Sequence, residues 1–189
     1  MNTPRILVFG GSLRAESYNQ KLAIIAAAGA REAGAEVTLI TLRDYRLPIF
    51  DEDLESAEGK SEAAKKLKEL FLNAEGFIIA SPEYNSVITA ALKNVIDWVS
   101  RADSEDEAPL LAFKGKTAAI LSASPGGYGG SRSLAQLRPL LENISVTVMP
   151  DQVSIPKAYE AFDAEGNLVD PTQQAAVKAL AASLVAKLA

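Results

Sequence analysis

Short apolar runs recur along this chain, and most are followed by a stretch whose apolar residues fall at helical spacing. Arg5–Phe9 (RILVF) reads as a buried strand that stops at Gly10-Gly11. From Asn19 to Ala33 the chain is alanine-rich, with Leu22, Ile25 and Ala26 on one face, and Gly34 ends it. Glu36–Thr41 (EVTLIT) alternates and is β-branched, which predicts a second strand. A long polar excursion follows, Asp51 to Lys60, rich in acid. Ser61 opens a helix carrying Leu67, Leu70 and Phe71, and Gly76–Ala80 (GFIIA) predicts a third strand stopped by Ser81-Pro82. Ala90–Ser100 predicts a helix with Leu92, Val95, Ile96 and Val99 inward. Lys116–Ala123 predicts a fourth strand, Ser131–Asn143 a helix, Ser145–Met149 a fifth strand and Thr172–Ala189 a terminal helix.

Strands that are mostly apolar on both faces, alternating with helices, predict an α/β fold with a parallel sheet covered on each side. The chain of 189 residues suits one domain, expected to span residues 1–189. Asp103–Pro109 (DSEDEAP) reads as a solvated acidic loop.

Composition narrows the chemistry. There is no cysteine and no histidine. This excludes disulfides, thiolate metal sites, a cysteine nucleophile, histidine metal ligands and a Ser-His-Asp triad. Any reaction must rest on carboxylates, hydroxyls, lysine, tyrosine or a borrowed cofactor. The net charge of −5 argues against nucleic acid as a partner. No apolar run approaches the roughly 20 residues needed to span a bilayer, and the first residues lack the pattern of a signal peptide. The expectation is a cytoplasmic protein without membrane partners.

Polar and glycine residues collect at three strand ends, where open parallel sheets bind ligands. After the first strand stand Ser12, Arg14, Ser17 and Asn19, ahead of a helix N-terminus. The segment is neither a Walker loop nor GxGxxG. It reads either as a phosphate nest, with donors and a cation beside the helix dipole, or as a loop with Ser17 or Asn19 as an N-cap. After the third strand come Pro82, Glu83, Tyr84 and Asn85, a turn along which a planar ring could lie, or whose tyrosine could cover the core. After the fourth come Ser124, Pro125 and the glycines Gly126, Gly127, Gly129 and Gly130, fit for close backbone approach or for a mobile loop.

These segments together resemble the NADPH-dependent FMN reductase and NAD(P)H quinone reductase family, with its chromate- and azo-reductase relatives. The first loop resembles the family's Gly-Ser-x-Arg-x-x-Ser-x-Asn pattern at Gly11, Ser12, Arg14, Ser17 and Asn19. Pro82–Asn85 is similar to its Pro-Glu-Tyr-Asn signature, and Leu92, Lys93, Asn94, Ile96, Asp97 and Trp98 to its Leu-Lys-Asn-x-Ile-Asp-Trp stretch. Ser124, Gly126, Gly129 and Gly130 resemble its glycine loop. The chain departs at Val87 and Thr89, where members often carry serine and proline.

The resemblance implies a flavodoxin-like three-layer sandwich with a five-stranded parallel sheet in the order 2-1-3-4-5. It implies FMN, with Ser12, Arg14, Ser17 and Asn19 on the phosphate, Pro82–Asn85 along the ring, and Ser124 and Gly126 at its other edge. It further implies NADPH or NADH as donor, a small-molecule acceptor such as a quinone, ping-pong hydride transfer with no catalytic side chain, and no metal. A homodimer or homotetramer is expected, with Trp98, Tyr128 and Arg132 as interface candidates and core packing as the other reading of Trp98. The competing expectations are a flavodoxin-type electron carrier and a flavin-free scaffold.

Overall fold

A computed structural model describes residues 3–189. Five strands, β1 (Arg5–Gly10), β2 (Glu36–Thr41), β3 (Gly76–Ala80), β4 (Thr117–Ala123) and β5 (Thr147–Ile155), form one parallel sheet in the order β2-β1-β3-β4-β5. The helices are α1 (Tyr18–Glu32), α2 (Glu52–Glu58), α3 (Glu62–Asn73), α4 (Ala90–Ser100), α5 (Ser131–Asn143), α6 (Ala158–Ala161) and α7 (Pro171–Leu188). The expected flavodoxin-like sandwich and its strand order are therefore both present.

Strand alternation divides the core into two apolar layers. Leu7, Phe9, Phe77, Ile79 and Ile120 face α3, α4 and α5, whereas Ile6, Val8, Ile78 and Leu121 face α1 and α7. The central strands β3 and β4 are buried along their whole length. That burial on both faces is why their sequences do not alternate.

Trp98 of α4 is buried as well. It is 1% exposed, its indole Nε1 donates to the Pro48 carbonyl at 2.9 Å, and its ring meets Phe50 edge-on. Core packing is thus its role, and it leaves the set of interface candidates.

Three other differences from the sequence reading have physical causes. The fifth strand runs on to Ile155 instead of ending at Met149. Its register against β4 shifts between Ala118 and Ile120, and this irregularity accommodates Pro150. An edge strand tolerates a proline that a central strand would not. Within the acidic excursion, Asp51 caps α2 by accepting from the amides of Asp53 and Leu54. Arg101 then ties Glu55 to the body of the protein at 2.7 Å.

The acidic loop is also anchored. Lys68, with its side chain 1% exposed, lies 3.0 Å from Asp103, is ion-paired to Glu107 at 2.5 Å and donates to the Arg101 carbonyl at 2.8 Å. Lys60 joins the same cluster through Asp103. Desolvation alone would lower the Lys68 pKa, but its bonds to Glu107 and Asp103 outweigh that and raise it. No helix among the described residues is long and apolar enough to cross a membrane.

Candidate functional site

β1 delivers the first loop to the carboxyl edge of the sheet. Ser17 caps α1, its Oγ accepting from the Gln20 amide at 3.3 Å. Ser12 Oγ accepts from the Arg14 amide at 3.2 Å and so tightens the loop. The backbone N–H groups of Ser12, Leu13 and Ala15 through Asn19 find no acceptor among the described residues. Unpaired amides at a helix N-terminus are an anion site in waiting. Arg14 adds a cation: its guanidinium is exposed, without an ion pair among the described residues, 6.0 Å from the Tyr18 ring centre.

Asn19 behaves differently. It is 3% exposed, and its side-chain amide bonds the main chain of Ala123 twice, donating at 2.7 Å and accepting at 2.9 Å. It fastens the start of α1 to the end of β4. Thr89 makes a comparable tie. As the N-cap of α4 it accepts from the Leu92 amide at 3.0 Å and donates to the Gly11 carbonyl at 2.6 Å.

The second loop leaves β3 through buried Pro82. The Glu83 carboxylate accepts from the amides of Arg132 and Ser133 at 3.1 and 3.2 Å. These are orphan donors of α5, whose own N-cap, Gly130, has no side chain to offer. Glu83 therefore caps a helix about 50 residues away in sequence, with its charge at the positive dipole end. Tyr84 and Val87 close a two-residue hairpin through reciprocal backbone bonds. Asn85 and Ser86, at its tip, both have positive φ, 52° and 69°. Asparagine tolerates that region better than serine does, so the turn holds some strain.

The third loop is fixed at one end and open at the other. A Cβ on Gly130 would fall 1.8 Å from Ser122 Oγ, and one on Gly129 would fall 2.8 Å from the backbone of Ile155 and Pro156. Both residues also have positive φ, so both must be glycine. Gly126 and Gly127 carry neither constraint: a Cβ would meet only Ser124 Oγ at 3.9 Å in the first case and nothing in the second. The exit of β5 supports this loop. Ser124 bonds Ile155 and Ala158, and the Gly126 carbonyl accepts from Lys157.

Ser12, Arg14, Ser17, Asn19, Pro82, Glu83, Tyr84 and Ser124 line one narrow crevice of about 50 Å³. It opens beside a wider cleft of about 360 Å³ that shares Ser12, Arg14 and Tyr84. Asn85 and Gly126 lie outside the crevice lining, although they belong to the same loops.

Residues 4–160 match the family model described as NADPH-dependent FMN reductase. The chain belongs to that family. Family membership makes it an NAD(P)H-dependent, FMN-using oxidoreductase. It is similar to the NAD(P)H-dependent FMN reductase PA1204 of Pseudomonas aeruginosa, 36% identical over 167 residues, covering 88% of this chain and 85% of that one. It is 35% identical to a probable NADPH:quinone oxidoreductase of Oryza sativa, over 96% of this chain and 90% of that one. In structure it is similar to the flavoenzyme NAD(P)H:(acceptor) oxidoreductase FerB of Paracoccus denitrificans, with a TM-score of 0.76, 26% identity and coverage of 98% and 99%. A flavodoxin from the Archaea, at TM-score 0.63 and 14% identity, shares the fold.

Loop chemistry alone does not reveal every residue that shapes this edge of the sheet. The cap role of Thr89 has a local signal, a threonine just ahead of a helical pattern. The buttress of Ile155–Ala158 has none, because it depends on how far β5 extends.

Proposed function

We propose that this reductase binds FMN across the three loops and passes electrons from NAD(P)H to a small acceptor of the quinone class. One observation carries the reading. The unpaired amides of the first loop, with Arg14 beside them, converge with Pro82–Tyr84 and Ser124 on one crevice. The residues fit the cofactor: the amide nest and Arg14 suit a phosphate dianion. The Cβ-free backbone at Gly126–Gly127, for which the folded chain gives no other reason, suits the close approach of a flat ring.

Bound there, FMN supplies the hydride relay between nicotinamide and acceptor. Ser12 and Ser17 shape the nest, and Arg14 supplies its cation. Glu83 and Asn19 act through the backbone, the first holding the second loop against α5 and the second holding the first loop against β4. Tyr84, 49% exposed, stands where a planar acceptor would arrive.

The proposal includes a homodimer or homotetramer. Exposed Leu13, Tyr84 and Val87 beside the cleft favour it, and the stacked pair Tyr128–Arg132, 4.2 Å apart, offers a second contact. Cytoplasmic residence goes with the proposal, since NAD(P)H is a soluble intracellular reductant.

The deciding experiment is the visible spectrum of the purified protein, after incubation with FMN and removal of the unbound flavin, before and after anaerobic NADPH. A flavin band that bleaches with NADPH and returns with a quinone is the expected result. A protein that stays colourless, or one reduced only through a partner reductase, overturns the reading. Light scattering after size exclusion tests the oligomer.

A further inference from the structure

Beyond β2 the chain makes one 3-10 turn, Leu42–Asp44, and continues as Tyr45-Arg46-Leu47. This segment, the first loop and α4 enclose a cavity of about 630 Å³, within the usual range for small-molecule sites. Leu42 and Leu47 give it apolar walls, and Arg43, Tyr45 and Arg46 line it too. Both arginines are exposed, and neither forms a hydrogen bond, ion pair or ring contact among the described residues. By contrast, the side chains of Arg5, Arg101 and Arg138 have carbonyl or carboxylate partners, and Arg14 and Arg132 each lie near an aromatic ring. Asp44, the acid between the two arginines, does not line the cavity.

The cavity adjoins the proposed flavin cleft, because Leu13 and Ala91 line both. A ligand that occupied the two spaces together would be elongated, would have flat apolar parts, and would carry an anion at the end away from Tyr84.

We propose that Arg43 and Arg46 bind the 2′-phosphate of NADPH, with the adenosine lying between Tyr45 and the apolar walls of this cavity. The proposal rests on the NAD(P)H reading of the neighbouring cleft. Guanidinium forks match a phosphate in geometry as well as charge. NADH lacks that phosphate, so the pair sets a preference for NADPH. Being exposed, the contact weakens as salt is raised.

The test compares the wild-type protein with Arg43→Gln/Arg46→Gln. Neither side chain has a partner to lose, so the melting temperature should not change. Calorimetric titration with 2′,5′-ADP, with and without added FMN, should show affinity falling at least about tenfold in the double variant, while 5′-AMP binds both proteins alike. In turnover, KM for NADPH should rise at least about tenfold, with kcat and KM for NADH unchanged. Equal 2′,5′-ADP affinity in the two proteins overturns the proposal, as does an equal rise in KM for NADH. A shift in oligomeric state with unchanged 2′,5′-ADP affinity also overturns it and assigns the arginines to a subunit contact. Failure to bind FMN would count against the cofactor reading alone, since the titration without FMN still decides the subsite.

Discussion

Within the site, residues divide by whether their polar atoms are already engaged. Arg14 is not engaged, so removing it costs the fold little and the ligand much. Arg14→Ala should weaken FMN binding by about 1.5–3 kcal/mol, the worth of one charge-assisted contact, and leave urea unfolding unchanged. Fluorescence titration with FMN checks this; equal affinity in both proteins would remove Arg14 from the site. Asn19 is the opposite case, since both ends of its amide serve Ala123. Asn19→Ala would leave buried main-chain groups of Ala123 unpaired and should lower stability by about 1–3 kcal/mol, measured by urea unfolding without flavin. Sequence spacing brought both residues to the same loop. It did not reveal which way each side chain turns, because the partner of Asn19 lies 104 residues away.

Among the elements, α5 is the informative one. Its first turn is capped by Glu83 from another loop and begins at a glycine that tolerates no side chain. Glu83→Ala should cost about 0.5–2 kcal/mol in stability, as the loss of a cap does, and Glu83→Gln should cost less because an acceptor remains. The glycines give a sharper contrast. Gly130→Ala meets both positive φ and a clash with Ser122, so a loss of about 2–5 kcal/mol is expected. Gly127→Ala should melt normally and yet bind FMN less well, which thermal melts and flavin titration can separate. The sequence showed a glycine-rich loop but not this division, which depends on Ser122 and Ile155 lying underneath. Strands β1, β3 and β4 are legible within a residue or so because continuous apolar runs demand burial, and β2 because it alternates. β5 was cut short at its proline because its edge position, which makes proline tolerable, is a tertiary fact. α2 was hidden because none of its residues is buried.

At the level of the whole molecule, one partly buried lysine, just ahead of β4, joins that strand to the end of α3. Lys116 Nζ donates to the carbonyls of Leu72 and Ala74 at 3.0 and 2.6 Å, and to that of Phe71, closing the C-terminus of α3. Burial lowers its pKa to about 8 from 10.5, with repulsion from Arg5 adding to the effect and Glu75 opposing it. Between these values the unfolded chain holds a proton that the folded one has released, so this group makes stability rise with pH across that window. Urea midpoints above and below pH 8 should show the rise in the wild-type protein and not in Lys116→Met. A final consequence follows from Asn19 reaching Ala123 and from the glycine loop resting on Ile155. During synthesis, the first loop, the proposed phosphate nest, emerges well before the segments that complete its surroundings, which extend to Ile155. On the proposed FMN reading, flavin uptake therefore waits for those segments. Stalled nascent chains ending before Ile155 should retain no FMN, whereas released full-length chains should.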